Sequence, residues 1–266
     1  MKKLVKYWLW GTFAWWIVVF LIFVFITPIP EIVLQLREVE KIIPAGFYLA
    51  LSIFAFFMMF KMIKKMQEKE DKSGIADSLF GFFLLSGASA LIQGLFGIIE
   101  FTVRDLQVFF TDSTFIFISG TGFMLTIFMI ELFWKEREHN QNIGILVGIG
   151  IIILFSYVGI SLNIILELND IFLYIPTALL FVATILIYLL LIINSFKIYR
   201  YLEKSIEKRS LLRIGLSGIF MIIGFILVLI YIFLDEFYVR IANAVFLMIG
   251  YYLLFRGFTR PIRKSS

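Results

Sequence analysis

The sequence predicts an all-α polytopic transmembrane helix bundle, with eight spans arranged as a tandem 4+4 parallel repeat. Three observations carry this reading. Of the 266 residues, 61% are hydrophobic and only 16% are charged, against roughly 45–50% apolar usage in soluble domains. The mean hydropathy is +0.99. The apolar residues also fall in runs of about 20, the length that crosses ~30 Å of hydrocarbon at ~1.5 Å per residue. In lipid the helix is the form that satisfies its own backbone polar groups.

Residues 8–27 form the first run. It follows Lys2, Lys3 and Lys6, as the apolar core of a signal peptide would. Its length and the lack of a small-residue cleavage site mark it instead as a retained anchor. Further spans are expected at 43–63, 77–101, 113–134, 143–165, 173–196, 211–233 and 238–257. The prolines, at 28, 30, 44, 176 and 261, are expected at or beyond span ends. No span then needs to be interrupted, in contrast to the discontinuous helices of many secondary transporters.

Basic residues decide the expected topology. The amino terminus, the 61–72, 135–137 and 197–213 connections and the tail hold all of them except Arg37, Lys41, Arg104 and Arg240. By the positive-inside rule both termini of a cell-membrane protein then lie in the cytoplasm. The opposite face carries ten acids against those four bases, including Glu31, Asp112, Asp170 and Asp235. Trp8, Trp10, Trp134, Tyr199 and Tyr201 are expected in the inner interfacial belt, and Tyr174 and Tyr238 in the outer one.

Sliding residues 43–101 against 175–233 aligns Pro44 with Pro176, Lys65 with Lys197, Lys72 with Lys204 and Ser78 with Ser210, among other identities. The chain is accordingly expected to consist of two four-helix units, 1–138 and 139–266, joined through KEREHNQN. An even number of spans per unit gives the copies the same orientation, related by an axis along the membrane normal.

Polar residues inside the spans nominate a site. In the third span Ser86, Ala90, Gln93, Gly97, Glu100 and Arg104 recur every three or four residues, which predicts one helical face. Gly148, Ile152, Ser156, Gly159, Asn163 and Glu167 do the same in the fifth span, and the eighth holds Arg240, Asn243 and Gly250. The expected ligand-binding set is Gln93, Glu100, Arg104, Asn163, Glu167 and Asn243, lining an outward-facing vestibule. Intramembrane polar groups are costly and therefore functional candidates, whereas small residues at these spacings also form helix–helix seams.

Composition excludes much else. With no cysteine there is no disulfide or thiolate chemistry, and the one histidine, His139, lies in a polar connection, so no metal site or cofactor is expected. No G-x-x-x-x-G-K-[ST] loop or D-x-x-D cluster occurs, and the last two spans lack a lysine for a retinal-type chromophore. An enzyme is not expected, and the dispersed basic residues do not call for nucleic acid. The expected partners are the lipid bilayer, a small or lipidic ligand and a membrane or cytoplasmic protein. The leading expectation is a sensor or receptor-like module; the alternatives are a small-solute or ion permease along the pseudo-two-fold axis and an assembly subunit of a membrane complex.

Because the chain contains no cysteine, single introduced cysteines report sidedness directly. Glu236→Cys is expected to react with an impermeant maleimide on intact cells, and Lys3→Cys only after lysis. The reverse pattern would invert the topology.

Overall fold

Each predicted apolar run forms a helix, and most of these helices continue into their polar flanks, because backbone hydrogen bonding does not stop where hydrocarbon does. In a computed structural model, residues 2–26, 34–36, 39–68, 74–101, 104–134, 139–166, 170–203, 205–234 and 236–259 are described. Among them eight helices occur: α1 (Lys2–Ile26), α2 (Val39–Glu68), α3 (Ile75–Ile98), α4 (Arg104–Phe133), α5 (His139–Leu166), α6 (Asp170–Tyr201), α7 (Ser205–Leu234) and α8 (Phe237–Thr259). Seven contain a stretch long and apolar enough to cross a membrane, and α5 contributes the shorter apolar stretch Val147–Leu162. The chain is a multi-pass membrane protein built as a polytopic helical bundle.

Two three-residue strands interrupt the all-helical pattern. β1 (Leu34–Leu36) pairs antiparallel with β2 (Ile99–Phe101), placing Gln35 opposite Glu100. The sequence places residues 99–101 in the third span, but α3 ends at Ile98. Ile99 is extended at φ −101°, ψ 130°, and its N–H closes on Leu95 O. The ribbon gives the released backbone groups partners just beyond the helix end. At the other end Gly74, at φ 71°, turns the chain into α3 in a conformation that favours glycine.

By packing, the chain divides into two units, Met1–Thr184 and Ile185–Ser266, with the boundary inside α6. The halves expected from the sequence repeat meet elsewhere, in the connection between α4 and α5.

In the first unit α4 is the core. Every residue from 119 to 130 is buried, with α3 and α5 packed against α4 and α1 touching all three; α2 lies on α3. A ladder of rings joins α1 to α4: Phe23 stacks on Phe109 at 4.9 Å, Phe13 meets Phe117 at 5.4 Å, and Trp8 stacks on Phe123 at 3.8 Å. Trp134 is buried as well. Trp8 and Trp134 thus pack against protein, whereas Trp10 and Tyr201 are exposed, as belt residues are.

Close approach explains these contacts. A Cβ added to Gly94 or Gly97 would lie 2.6 Å from Leu49 Cδ2 or Ala45 Cβ of α2. On Gly120 it would meet Leu85 Cδ1 at 2.8 Å, Tyr157 Oη at 3.1 Å and Thr12 Cγ2 at 3.3 Å. Gly120 is therefore where α1, α3 and α5 converge on α4. Small residues at such points let helices associate through van der Waals packing where lipid supplies no hydrophobic drive.

Pro44 and Pro176, expected at span ends, lie within the first two turns of α2 and α6, because both helices begin several residues before the apolar run. The Pro176 ring occupies the space that a Cβ on Gly159 of α5 would need.

In the second unit α7 and α8 pack antiparallel, Gly224 facing Leu247 and Gly250 facing Met221. The C-terminal half of α6 joins them, with Tyr188 and Phe225 ring centroids 5.5 Å apart.

Overpacking a closed core costs ~1–3 kcal/mol. Gly120→Leu is expected to destabilise the protein by that amount in detergent unfolding. Gly148→Leu, at an exposed glycine with nothing within 4 Å of an added Cβ, is expected to be near neutral. Equal effects would contradict the role given to Gly120.

Candidate functional site

Hydroxyl groups in apolar helices turn first to their own backbone. Ser119, Thr121 and Thr126 of α4 donate to the carbonyls of Phe115, Phe117 and Gly122, four residues back, at 2.7, 2.8 and 2.9 Å. These bonds satisfy the hydroxyls without presenting them to another helix.

Between α1 and α5 the pattern differs. Thr12 Oγ1 donates to Trp8 O at 2.9 Å, so its single proton is engaged. The 2.9 Å bond between Thr12 and Tyr157 must then be donated by the Tyr157 hydroxyl. About one turn along, Trp15 Nε1 donates to Ser161 Oγ at 2.9 Å. Thr12 and Trp15 share a face of α1, as Tyr157 and Ser161 share a face of α5. Ser156 extends the cluster to α6, its hydroxyl 2.9 Å from Ile152 O and 3.2 Å from Pro176 O.

Thr12 and Tyr157 are buried, but Trp15 is 38% exposed. The Trp15 partner of the second link thereby reaches the surface of the bundle, while Ser161 is buried. Neutral hydrogen bonds of this kind between transmembrane helices are worth about 0.6 kcal/mol on average, weak enough to exchange partners.

The residues nominated from the sequence fall in different places. Gln93 is half-buried on α3, and the polar face it belongs to runs from Ser86 through Ala90 to Gly97. That face stops there, since the helix ends at Ile98. Glu100 sits on β2 opposite Gln35, and Arg104 is the first residue of α4. Neither continues the helical stripe. The side chains of Glu100, Arg104 and Asn163 lie outside the described residues, as does the whole of Glu167. Ser86 Oγ is buried without a hydrogen-bond partner among the described residues.

Asn243 belongs to the second unit. It is buried on α8, and its Nδ2 donates to Gly224 O of α7 at 2.7 Å. The absence of a side chain on Gly224 lets the amide reach a backbone oxygen across the α7–α8 seam.

Reading the residues alone does not find the Thr12–Tyr157 and Trp15–Ser161 pairs. The available signal is weak: Thr12 and Trp15 at helical spacing, near the middle of a span rather than in an interfacial belt. Their partners lie about 145 residues away, and one sequence does not encode which helices are neighbours.

Searches against protein-family models, curated proteins and solved structures find no match to this chain.

Asn243→Leu keeps the number and branching of side-chain heavy atoms and removes the donor. It is expected to destabilise the protein by roughly 0.5–2 kcal/mol in detergent unfolding. An unchanged stability would show that the α7–α8 seam holds without the amide.

Proposed function

We propose that this multi-pass membrane protein is a sensor or receptor-like module. It resides in the cell membrane with both termini in the cytoplasm, takes a small or lipidic ligand from the outer half of the bilayer, and reports to a separate membrane or cytoplasmic partner. The observation that carries this reading is the partly exposed Trp15–Ser161 bond beside the buried Thr12–Tyr157 bond. A ligand with a polar head and an apolar body can compete for Trp15 or Ser161 from the lipid side and shift α1 relative to α5. Binding can bias such an equilibrium only through different contacts in the two states, and exchange of one hydrogen-bond partner for another supplies that difference.

Two features support sensing over conduction. The middle of α4 is closed by Phe, Met and Ile side chains, and its hydroxyls face their own backbone. The proline-containing helices remain continuous, without the broken segments that form midplane sites in many transporters.

A second reading, as an assembly subunit, is favoured by Gly144 and Gly148. They lie one turn apart on α5, both exposed and with nothing within 4 Å of an added Cβ. This is the G-x-x-x-G spacing through which transmembrane helices dimerise.

Thermal unfolding in neutral-lipid nanodiscs against a panel of amphiphilic and small polar compounds tests the sensor reading. Saturation at ~100-fold above Kd stabilises by about 2.7 kcal/mol. A compound class is expected to raise the Tm of the wild type, with the shift lost in Ser161→Ala and kept in Gly148→Leu, at an exposed position away from the link. A panel that shifts none of the proteins, or all of them equally, would overturn it. Dimers of the wild type that Gly144→Leu/Gly148→Leu dissociates would favour the second reading.

A further inference from the structure

One end of the second unit gathers cations from three helices. α6 and α7 run antiparallel in contact: a Cβ on Gly218 would lie 2.7 Å from Ile192 Cγ1, and one on Gly215 would lie 3.2 Å from Ser195 Cβ. α7 and α8 do the same, Gly257 lying against Ile214 and Gly250 against Met221. The last turns of α6 and α8 therefore share an end with the first turns of α7. That end carries Lys197, Arg200, Lys208, Arg209, Arg213 and Arg256, against the carboxylates of Glu203 and Glu207.

Aromatic rings hold two of the cations at the rim. Lys208 Nζ lies 5.4 Å from the centroid of the Tyr199 ring, linking α7 to α6, and the Arg256 guanidinium carbon lies 5.8 Å from that of Tyr252. Both distances are within the range of cation–π attraction.

Along the same faces the surface next to these cations is apolar and uncovered. On α6, Leu186, Leu189, Ile193, Lys197 and Arg200 follow at helical spacing and all are exposed. On α8, Ile249 and Tyr252 lead in the same way to Arg256. The stripes pass from hydrocarbon-like to cationic within about two to four turns, the order in which a phospholipid passes from acyl chain to phosphate.

We propose that this end of the second unit is a binding site for an anionic phospholipid. The phosphate lies among Lys197, Arg200 and Arg256, and an acyl chain lies along Leu186, Leu189 and Ile193. The occupant is a lipid rather than a soluble phosphate because the cations continue directly from exposed apolar surface, which an acyl chain can cover and a soluble phosphate cannot. A basic residue close to an anionic membrane surface contributes on the order of 1 kcal/mol, about a fivefold change in affinity.

The test measures lipid retention by the full-length protein in nanodiscs of phosphatidylcholine doped with phosphatidylglycerol, followed by native mass spectrometry. The wild type is expected to retain phosphatidylglycerol over phosphatidylcholine. The Lys197→Gln/Arg200→Gln/Arg256→Gln variant is expected to lose affinity for it by on the order of 100-fold. The Lys3→Gln/Lys6→Gln/Lys61→Gln variant, which removes as many charges from the first unit, is expected to keep it within about twofold. If the triple variant fails to fold, Lys197→Gln alone, at an exposed position, is expected to show about a fivefold loss. No preference in the wild type, equal losses in both triple variants, an unchanged Lys197→Gln, or displacement of the lipid by excess inorganic phosphate would each overturn the proposal.

Discussion

Hydrocarbon neither accepts a hydrogen bond nor drives two apolar helices together, and this one constraint organises the chain. Helices form because each closes its own backbone. They then associate only where their surfaces come close enough for dispersion to favour protein over lipid. In the first unit that closeness depends on positions such as Gly94, Gly97 and Gly120, where an added Cβ would meet a neighbouring helix at 2.6–2.8 Å. α4 is the result: its central turns are enclosed, while α1, α2, α5 and α6 turn Phe25, Ile53, Ile151 and Val182 outward.

The same constraint sorts the polar side chains. In α4 the hydroxyls of Ser119, Thr121 and Thr126 bond to carbonyls of their own helix and leave packing to Phe117, Met124 and Phe128. Elsewhere a few donors cross between helices, from Tyr157 to Thr12, from Trp15 to Ser161 and from Asn243 to Gly224 O. Each crossing ties two helices by a neutral bond rather than by a buried charge, which makes the link reversible. In one of these links the Trp15 side chain is partly exposed, whereas Thr12, Tyr157 and Ser161 are buried.

The spans were legible in the sequence because the apolar run is the physical requirement for crossing, and all eight runs correspond to helices. Their ends were less legible. Ile99 and Phe101 continue the apolar run around Glu100, and only the pairing of 99–101 with 34–36 distinguishes strand from helix there. Helical spacing placed Ser86, Gln93 and Gly97 on one face but could not show that the helix stops before Glu100. Pro44 and Pro176 read as span ends because the polar residues before them hide the helix start. Neighbourhood was least legible of all: Thr12 and Tyr157 are unremarkable alone, and their meeting depends on Gly120, in a third helix.

The most direct test of this account is a double-mutant cycle on Thr12→Val and Tyr157→Phe, with unfolding free energies measured for the wild type, both single variants and the double variant in one lipid environment. A bond made across α1 and α5 predicts a coupling energy of about 0.6–1.7 kcal/mol. Strict additivity of the two substitutions would contradict it, and with it the packing of α1 and α5 about Gly120.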